Sequence, residues 1–486
     1  MNPATVIGRE AELATITRLY GSERSEFLAV YGRRRVGKSF LIEEALENKF
    51  TFTTVGLFIK VDKDDPEKLE SYRQQQLRHF YSSLLEYGLP ESGNTAPTNW
   101  LDALNLLKKL LLSKRSRRKV VFIDELPWLA GPQSSELVSE LGFFWNQWAR
   151  KRKDIFLIVC GSATSWMLDN VIRDYGGLYG RTTETIALKP FTLAECERYW
   201  EKHGFHLSRY EVALSYMIIG GIPFYMDRFR PDRTMADNIN NIYFAKDRAR
   251  QEFKDVYAGL YSNSEIYINV IRQLGKFFYG MSRGELLKAL DKKGGGNFSD
   301  VLENLIDSGI IRSYTLYGGP RKQTIYQLMD FFTLFYLRFC ENQDYTSWRS
   351  VQRSKPFYTW AGNTFELLVI EHMPQLADAL RIKDYATPFS WRGDTPDGKG
   401  AQIDLVIPAT AERADYICEI KFSEGKYILK DEDADDITRH IDALRNSSVH
   451  KLTHSTYVVF VTSFGVTESK HRSHINDIVS LDSLFQ

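Results

Sequence analysis

Cysteine is scarce. The 486 residues hold four, Cys160, Cys196, Cys340 and Cys418, scattered without the paired spacing of a metal knuckle or a disulfide framework. Cys160 and Cys418 lie inside apolar, strand-like runs, so buried reduced thiols are expected there. Long hydrophobic stretches are missing too. No run approaches the roughly 18 apolar residues of a membrane-spanning helix, and the opening MNPATVIGRE has no apolar signal-peptide core. A cytoplasmic location without a membrane partner is therefore expected. Net charge is nearly nil, +1 from 63 basic and 62 acidic residues, so any nucleic-acid contact must come from local patches. What remains is 43% hydrophobic and 26% charged, the composition of a folded protein, over a length that suits about three domains.

One segment stands out from that plain background. Phe27-Leu28-Ala29-Val30-Tyr31 reads as a buried parallel strand. It runs into Gly32-x-x-x-x-Gly37-Lys38-Ser39 and then into an apolar-periodic helix from Phe40 to Leu46. This is the full P-loop pattern between its required flanks. The glycines let backbone N–H groups wrap around phosphate oxygens, and the helix N-terminus adds positive potential. Lys38 neutralises the β- and γ-phosphates, and the Ser39 hydroxyl ligates Mg²⁺. The expected nucleotide contacts are Gly32, Arg33, Arg34, Arg35, Val36, Gly37, Lys38, Ser39 and Phe40; which of the three arginines touches nucleotide stays open.

Lys119-Val-Val-Phe-Ile-Asp124-Glu125 is an apolar strand ending in two acids, the Walker B pattern. On a parallel sheet its end shares an edge with the P-loop, placing Asp124 to hold Mg²⁺ and Glu125 to orient and deprotonate water. A third strand, Ile155 to Cys160, ends in Gly161-Ser162-Ala163. Ser162 there is either a sensor of the γ-phosphate between the two motifs or an N-cap for a helix starting near Thr164. Arg181, in Leu178-Tyr-Gly-Arg181, is placed to reach a phosphate of its own or a neighbouring subunit, or else is a solvated surface residue.

Ile7-Gly8-Arg9-Glu10, GRRRVGKS, FIDELPWL, the Tyr-Gly-Arg element and Gly220-Gly221-Ile222-Pro223 occur in order over residues 1–230. Together they resemble the archaeal-type ATPases of the STAND branch of the AAA+ relatives. The resemblance implies that Arg9 and Glu10 lie against adenine, that Pro223 of a helical lid contacts the nucleotide, and that the chain switches between ADP and ATP states.

Residues from about Leu193 to Arg250 have helical spacing and suit an all-α lid. Ser282-x-x-Glu285 is a capping box. Asn297-x-x-Asp300 opens a second helix, and Ile310–Leu316 with Thr324–Leu328 reads as a hairpin around Gly318-Gly319-Pro320-Arg321. Helices followed by a hairpin make a winged helix. Its helix at 297–308 and its wing, Arg321 and Lys322, are the places for DNA contact. Asp300, Glu303 and Asp307 on the helix favour packing and nucleotide gating instead. The aromatic stripe from Met329 to Phe339 reads as core.

Three signals follow in the C-terminal third: Glu366 in the apolar helix Asn363–Ile370, Asp404 in the strand Ala401–Ile407, and Glu419-Ile420-Lys421 closing a strand fifteen positions after Asp404. Alternation puts Glu419 and Lys421 on one face. A hairpin pairing would add Asp404, and such a cluster suits a divalent ion and a water poised for in-line attack on a phosphodiester. Asp404, Glu419 and the Ile420 carbonyl would ligate the metal, Lys421 would position or deprotonate the nucleophile, and Glu366 would add a further ligand. The pattern is similar to the PD-(D/E)XK nuclease superfamily over roughly residues 345–486, with Ile403 where a proline is common. The plainer reading is three ordinary charges at strand ends. Basic residues available to hold substrate are Arg349, Arg353, Lys355, Arg392, Lys399, Lys426 and Lys430, while Asp431–Asp436 reads as a solvated helix start.

The expected fold is α/β: a P-loop NTPase core (1–190), a helical lid (191–260), a winged helix (261–330), then an aromatic connector and a restriction-endonuclease-like domain (331–486). The expected function is an ATP-binding and hydrolysing switch coupled to a Mg²⁺-dependent nuclease acting on DNA, with Mn²⁺ as a substitute ion. Genome defence is a role that follows by analogy with such fusions. Expected partners are ATP or ADP, DNA and further copies of the chain. The rival readings are a STAND-type switch that binds DNA or protein without cutting, and a nucleotide-binding scaffold.

Overall fold

The computed structural model describes residues 6–59, 65–132, 135–173, 178–245, 248–258, 264–292, 295–317, 324–342, 344–385, 389–395, 398, 400–448, 450–451 and 453–486. By compactness the chain divides into two units. One comprises Met1–Pro190, Asp255–Ser264 and Ser299–Gly309; the other comprises Phe191–Lys254, Glu265–Phe298 and Ile310–Gln486.

The first unit is built on five parallel strands, β1 (Glu26–Tyr31), β2 (Phe50–Val55), β3 (Lys119–Asp124), β4 (Ile155–Gly161) and β5 (Glu184–Ala187), in the order β2-β3-β4-β1-β5. Near-continuous apolar strands mark a parallel sheet covered on both faces, and Ile155 to Cys160 are fully buried. The covering helices begin at side-chain caps: Asp65 accepts from the Lys68 amide at the start of Pro66–Glu86, and Asn99 from the Asp102 amide at Trp100–Ser113. Aromatic rings fill the space above the sheet. Phe52 meets Phe80 edge-on with centroids 5.2 Å apart, Phe80 meets Trp100 at 5.6 Å, and Phe27 lies 5.2 Å from Trp145. Because β4 is inserted between β1 and β3, its C-terminal tip falls between the ends of those two strands.

The second unit opens with helices Leu193–Lys202 and Arg209–Ile219, each started by a capping box, Thr192/Glu195 and Ser208/Glu211. A small sheet of β6 (Met281–Ser282), β7 (Ile311–Thr315) and β8 (Thr324–Leu328) takes the order β6-β8-β7, and Ser282 and Glu285 form the expected capping box for Arg283–Ala289. Ile311 pairs antiparallel with Leu328, as a hairpin requires. The wing residues Arg321 and Lys322 lie outside the described residues, as does Lys399. The helix Gly296–Asp307 spans the boundary between the units. The aromatic stripe is core: Phe331, Phe332, Phe335, Tyr336 and Phe339 are buried, with Phe335 4.6 Å from Tyr243 and 5.4 Å from Trp360.

The C-terminal sheet runs β13-β12-β11-β10-β9, from β9 (Phe389–Asp394), β10 (Gly400–Ala409), β11 (Ala414–Lys421), β12 (Ser455–Thr462) and β13 (Asp477–Ser480). Strands β9, β10 and β11 are antiparallel, whereas β11, β12 and β13 are parallel, with helix Asp431–Arg445 connecting β11 to β12. Helix Lys355–Glu371 precedes the sheet, and its Phe365 ring lies 5.3 Å from Phe422 just beyond β11.

One ion-pair cluster fixes the N-terminal ends of β3 and β4. Asp154 receives Arg152 Nε at 2.7 Å and Lys119 Nζ at 2.6 Å, and Lys119 is nearly buried. The Arg152 guanidinium, then the Lys119 ammonium, hold the Asp154 carboxyl well below the usual carboxylate range against the effect of burial. The folded value lies below the unfolded one. The stabilisation is therefore full above about pH 4 and disappears as pH falls through the folded value. Asp154→Asn is expected to cost on the order of 1 kcal/mol at pH 7, and the gap to wild type should narrow below about pH 4. Thermal melts at both pH values check this; identical melts at pH 7 would refute it.

Candidate functional sites

The nucleotide-site loop is shaped by backbone that side chains resist. Gly32 has φ +133° and lies so close to the Leu188 carbonyl that a Cβ would collide with it. Gly37, at φ +90°, leads into helix Lys38–Leu46, and Arg35 adopts φ 75° between the two glycines. Lys38 is buried, and its Nζ donates to the Gly32 carbonyl at 3.0 Å and the Arg33 carbonyl at 2.9 Å, so the loop curls around the ammonium. Val36 is buried and Phe40 half exposed.

The strand order brings the acids to this loop. Ser39 Oγ donates to Asp124 Oδ2 at 2.6 Å, and the Asp124 Oδ1 accepts from the Glu125 amide at 2.9 Å. Glu125 sits in the left-handed region, φ 45° and ψ 51°. Its Oε2 accepts from the Ser162 amide at 3.2 Å and the Ser162 hydroxyl at 3.0 Å. Ser162 thus holds Glu125 and does not cap the next helix, Thr164–Met167, whose capping position is Ala163. Burial raises the Glu125 carboxyl above the ordinary range, Lys38 opposes this, and Asp124 adds to it. The hydroxyl of Ser39 and the carboxylate of Asp124 are hard oxygen donors side by side, a pair that suits Mg²⁺.

Other expected contacts are placed less directly. Arg34 donates to the Asp255 carbonyl at 2.8 Å and lies over the Trp128 ring at 5.8 Å. Arg9, at φ 64° and nearly buried, donates to the Lys189 carbonyl at 2.6 Å, next to the Leu188 that flanks Gly32. Glu10 is the exposed first residue of helix Glu10–Gly21. Arg181 donates within its own turn, to the Tyr179 carbonyl at 3.2 Å. Pro223 opens the helix Pro223–Met226 of the second unit. Sequence reading missed Gly56: its amide donates to the Asp124 carbonyl at 2.9 Å, and a Cβ there would strike the Glu125 carbonyl and the Leu129 amide. The sole signal was a glycine directly after a strand of aromatic and β-branched residues.

In the C-terminal sheet the register Leu405↔Cys418 sets Asp404 opposite Glu419 one step further along. Asp404 Oδ2 accepts from the Ile420 amide at 3.2 Å, and Lys421 Nζ stands 3.5 Å from Glu419 Oε2. Glu366 faces the same group. Burial, then Asp404, hold its carboxyl well above the ordinary range, with Lys421 opposing. Asp404 is pushed up to about 7, by burial and then Glu419. Burial works against the Lys421 ammonium, but Glu419 and Asp404 prevail and raise it. Among the described residues no three Asp, Glu, His or Cys side chains are drawn together as a ready cation cage. Carboxylates that repel one another are nonetheless a donor set that suits a hard divalent ion.

Three further residues meet this cluster that the sequence did not single out. His440 Nδ1 lies 2.8 Å from Glu419 Oε1. Tyr279 is raised by burial and then by Glu366 and Asp404, and Arg392 lies over its ring at 4.9 Å. Arg312, half-buried, faces Glu371 and Glu366 and donates to Gln327 Oε1 at 2.7 Å. Each comes from an element distant in sequence, and none carried a local motif.

On the first geometry, Glu125→Gln is expected to cut ATP turnover about 100-fold or more while leaving ATP binding in place. Ser162→Ala, which removes one of two restraints on Glu125, should cost turnover less, about 10-fold. Phosphate release beside equilibrium nucleotide binding measures both; full turnover in Glu125→Gln would overturn the assignment of the base.

Residues 7–229 match the model of a family described as an ATPase domain predominantly from Archaea. Over 452 residues the chain is 24% identical to an uncharacterized protein of Methanocaldococcus jannaschii, covering 90% of each. Among solved structures, a Walker-type ATPase of Pyrococcus abyssi aligns at 18% identity and TM-score 0.47, over 69% of this chain and 97% of that one. The Aeropyrum pernix ORC1 protein, solved in complex with DNA, aligns at 14% identity and TM-score 0.34, over 68% and 92%. The family match stops at residue 229, so the C-terminal cluster stands on its own geometry. With its P-loop, its acids and its parallel α/β sheet, the segment from 7 to 229 is similar to an archaeal-type ATPase domain.

Proposed function

We propose that the chain is an ATP-driven switch whose ATPase domain licenses metal-dependent phosphodiester hydrolysis of DNA at the C-terminal cluster. In the first unit, Lys38 and the loop amides bind the phosphates, Ser39 and Asp124 hold Mg²⁺, and Glu125, oriented by Ser162, takes the proton of the attacking water. The observation that carries the nuclease half is the convergence of Glu366, Asp404, Glu419 and Lys421 on one part of a mixed sheet, from a helix and two strands. Asp404, Glu419 and the Ile420 carbonyl would hold a divalent ion, with Glu366 beside them. Such an ion supplies Lewis-acid charge and an acidified water. Lys421 orients the water as its oxygen bonds to phosphorus and one P–O ester bond breaks, the leaving oxygen taking up a proton. His440 fixes the rotamer of Glu419, and Arg392 is at hand for the substrate backbone.

Plasmid, linear and single-stranded DNA incubated with Mg²⁺ or Mn²⁺, with and without ATP, test both halves. Wild type should cut only with ATP, and Lys421→Ala should reduce cutting about 100-fold or more. Lys38→Ala should behave as wild type without nucleotide. Cleavage unchanged in Lys421→Ala removes the site; cleavage indifferent to ATP and to Lys38→Ala removes the coupling. Binding without cleavage under every condition favours the rival reading of a non-cutting switch.

A further inference from the structure

Charge in this chain is balanced overall but not locally. From Lys114 to Lys119 five of six residues are basic (Lys114, Arg115, Arg117, Arg118, Lys119), and all four from Arg150 to Lys153 are. The first run leads into β3 and the second into β4, and these strands are neighbours, with the Lys119 amide bonded to the Asp154 carbonyl at 2.7 Å. Both runs therefore emerge side by side at the N-terminal edge of the parallel sheet. The strand ends that carry the P-loop and the acids are at the opposite edge, roughly 20 Å away for strands of this length.

The same edge holds a cleft of about 990 Å³, lined by Lys49, Lys114, Arg115, Arg117, Arg118 and Lys153, with Glu23 and Asp154 as its acids. One of those acids is already neutralised, since Asp154 carries both Arg152 and Lys119. Arg118 is committed to structure: it is buried and donates to the carbonyls of Leu19, Ser22, Arg24 and Lys153, which fixes the surrounding loops. Arg115, Arg117, Arg150 and Lys153 are exposed, and none has a carboxylate partner among the described residues. Unpaired cations on strand-anchored loops, next to a concave surface, form a fixed positive field.

We propose that this edge of the ATPase unit binds the phosphodiester backbone of a nucleic acid, without reading its sequence. The groups presented are guanidinium and ammonium donors, which suit phosphate oxygens. This surface is separate from the C-terminal carboxylate cluster, and binding is read without cleavage, so either idea can fail while the other stands.

The test uses the full chain and the combined variant Arg115→Ala, Arg117→Ala, Lys153→Ala, three exposed positions outside the nucleotide site. Fluorescence anisotropy follows labelled duplex DNA and duplex RNA side by side between about 50 and 200 mM salt. The variant should bind roughly tenfold or more weakly, and its slope of log K against log salt should shrink by about 2 to 3, at about 0.9 for each phosphate left unneutralised. Its melting temperature and ATP turnover should match wild type, and Lys38→Ala should bind as wild type does. Loss on DNA, on RNA or on both supports the surface. Unchanged affinity and slope overturn the proposal, as does an equal loss for polyglutamate of matched charge, which would assign the edge to an acidic protein.

Discussion

The hydrogen bond from Ser39 to Asp124, 2.6 Å long, joins two segments 85 residues apart in sequence, and the nucleotide site depends on it. It exists because the sheet places β4 between β1 and β3, so that the loop after β1 and the acid ending β3 converge over the tip of the strand between them. From that arrangement follow the contact of Ser162 with Glu125 and the rise in the Glu125 carboxyl. Lys38, bound by loop carbonyls, keeps the loop curled around a positive centre.

The C-terminal cluster has a different physical basis. A parallel strand end gathers loop groups, whereas here alternation along antiparallel strands sets charges on one face, and repulsion among them does the rest. Asp404 at about 7 and the raised Glu366 store like-charge tension that Lys421 only partly offsets. Such tension is common where a cation or a proton is to be received. Arg312 borders the acids with the opposite sign of charge, and a ring nitrogen of His440 lies 2.8 Å from Glu419 Oε1.

Sequence and structure agree most closely where a motif is contiguous. The placement of Gly32 to Ser39, Asp124 and Glu125 is legible because each position is set by near neighbours and by the strand before it. The role of Ser162 was open between sensor and cap, since only the strand order decides which group its hydroxyl meets. Glu419 and Lys421 were legible through period-two alternation, and Asp404 through the assumption of a hairpin that β10 and β11 do form. Tyr279, Arg312 and His440 were not legible. They come from three separate elements, and nothing in a linear pattern says that these elements share a site. Gly56 was hidden for another reason: its requirement is steric, imposed by the turn at Glu125. The wing residues named as one place for DNA contact lie outside the described residues, and the two basic runs before β3 and β4 are hidden in a chain whose net charge is so small.

The left-handed backbone at Arg9, Arg35 and Glu125 bears on how this ATPase domain can drift in evolution. An ordinary side chain held in that region costs of order 1 kcal/mol or more, and glycine relieves it best. At each of these positions, then, the replacement that most relaxes the backbone is the one that deletes the charged group. The same backbone region holds Glu47, Asp291, Arg381 and Arg413 away from the P-loop and its acids, so left-handed charged positions are a general feature of this chain and the strain alone marks no site. At Arg9 and Glu125 the side chain that glycine would remove also makes a hydrogen bond, to the Lys189 carbonyl and from Ser162, which offsets the gain.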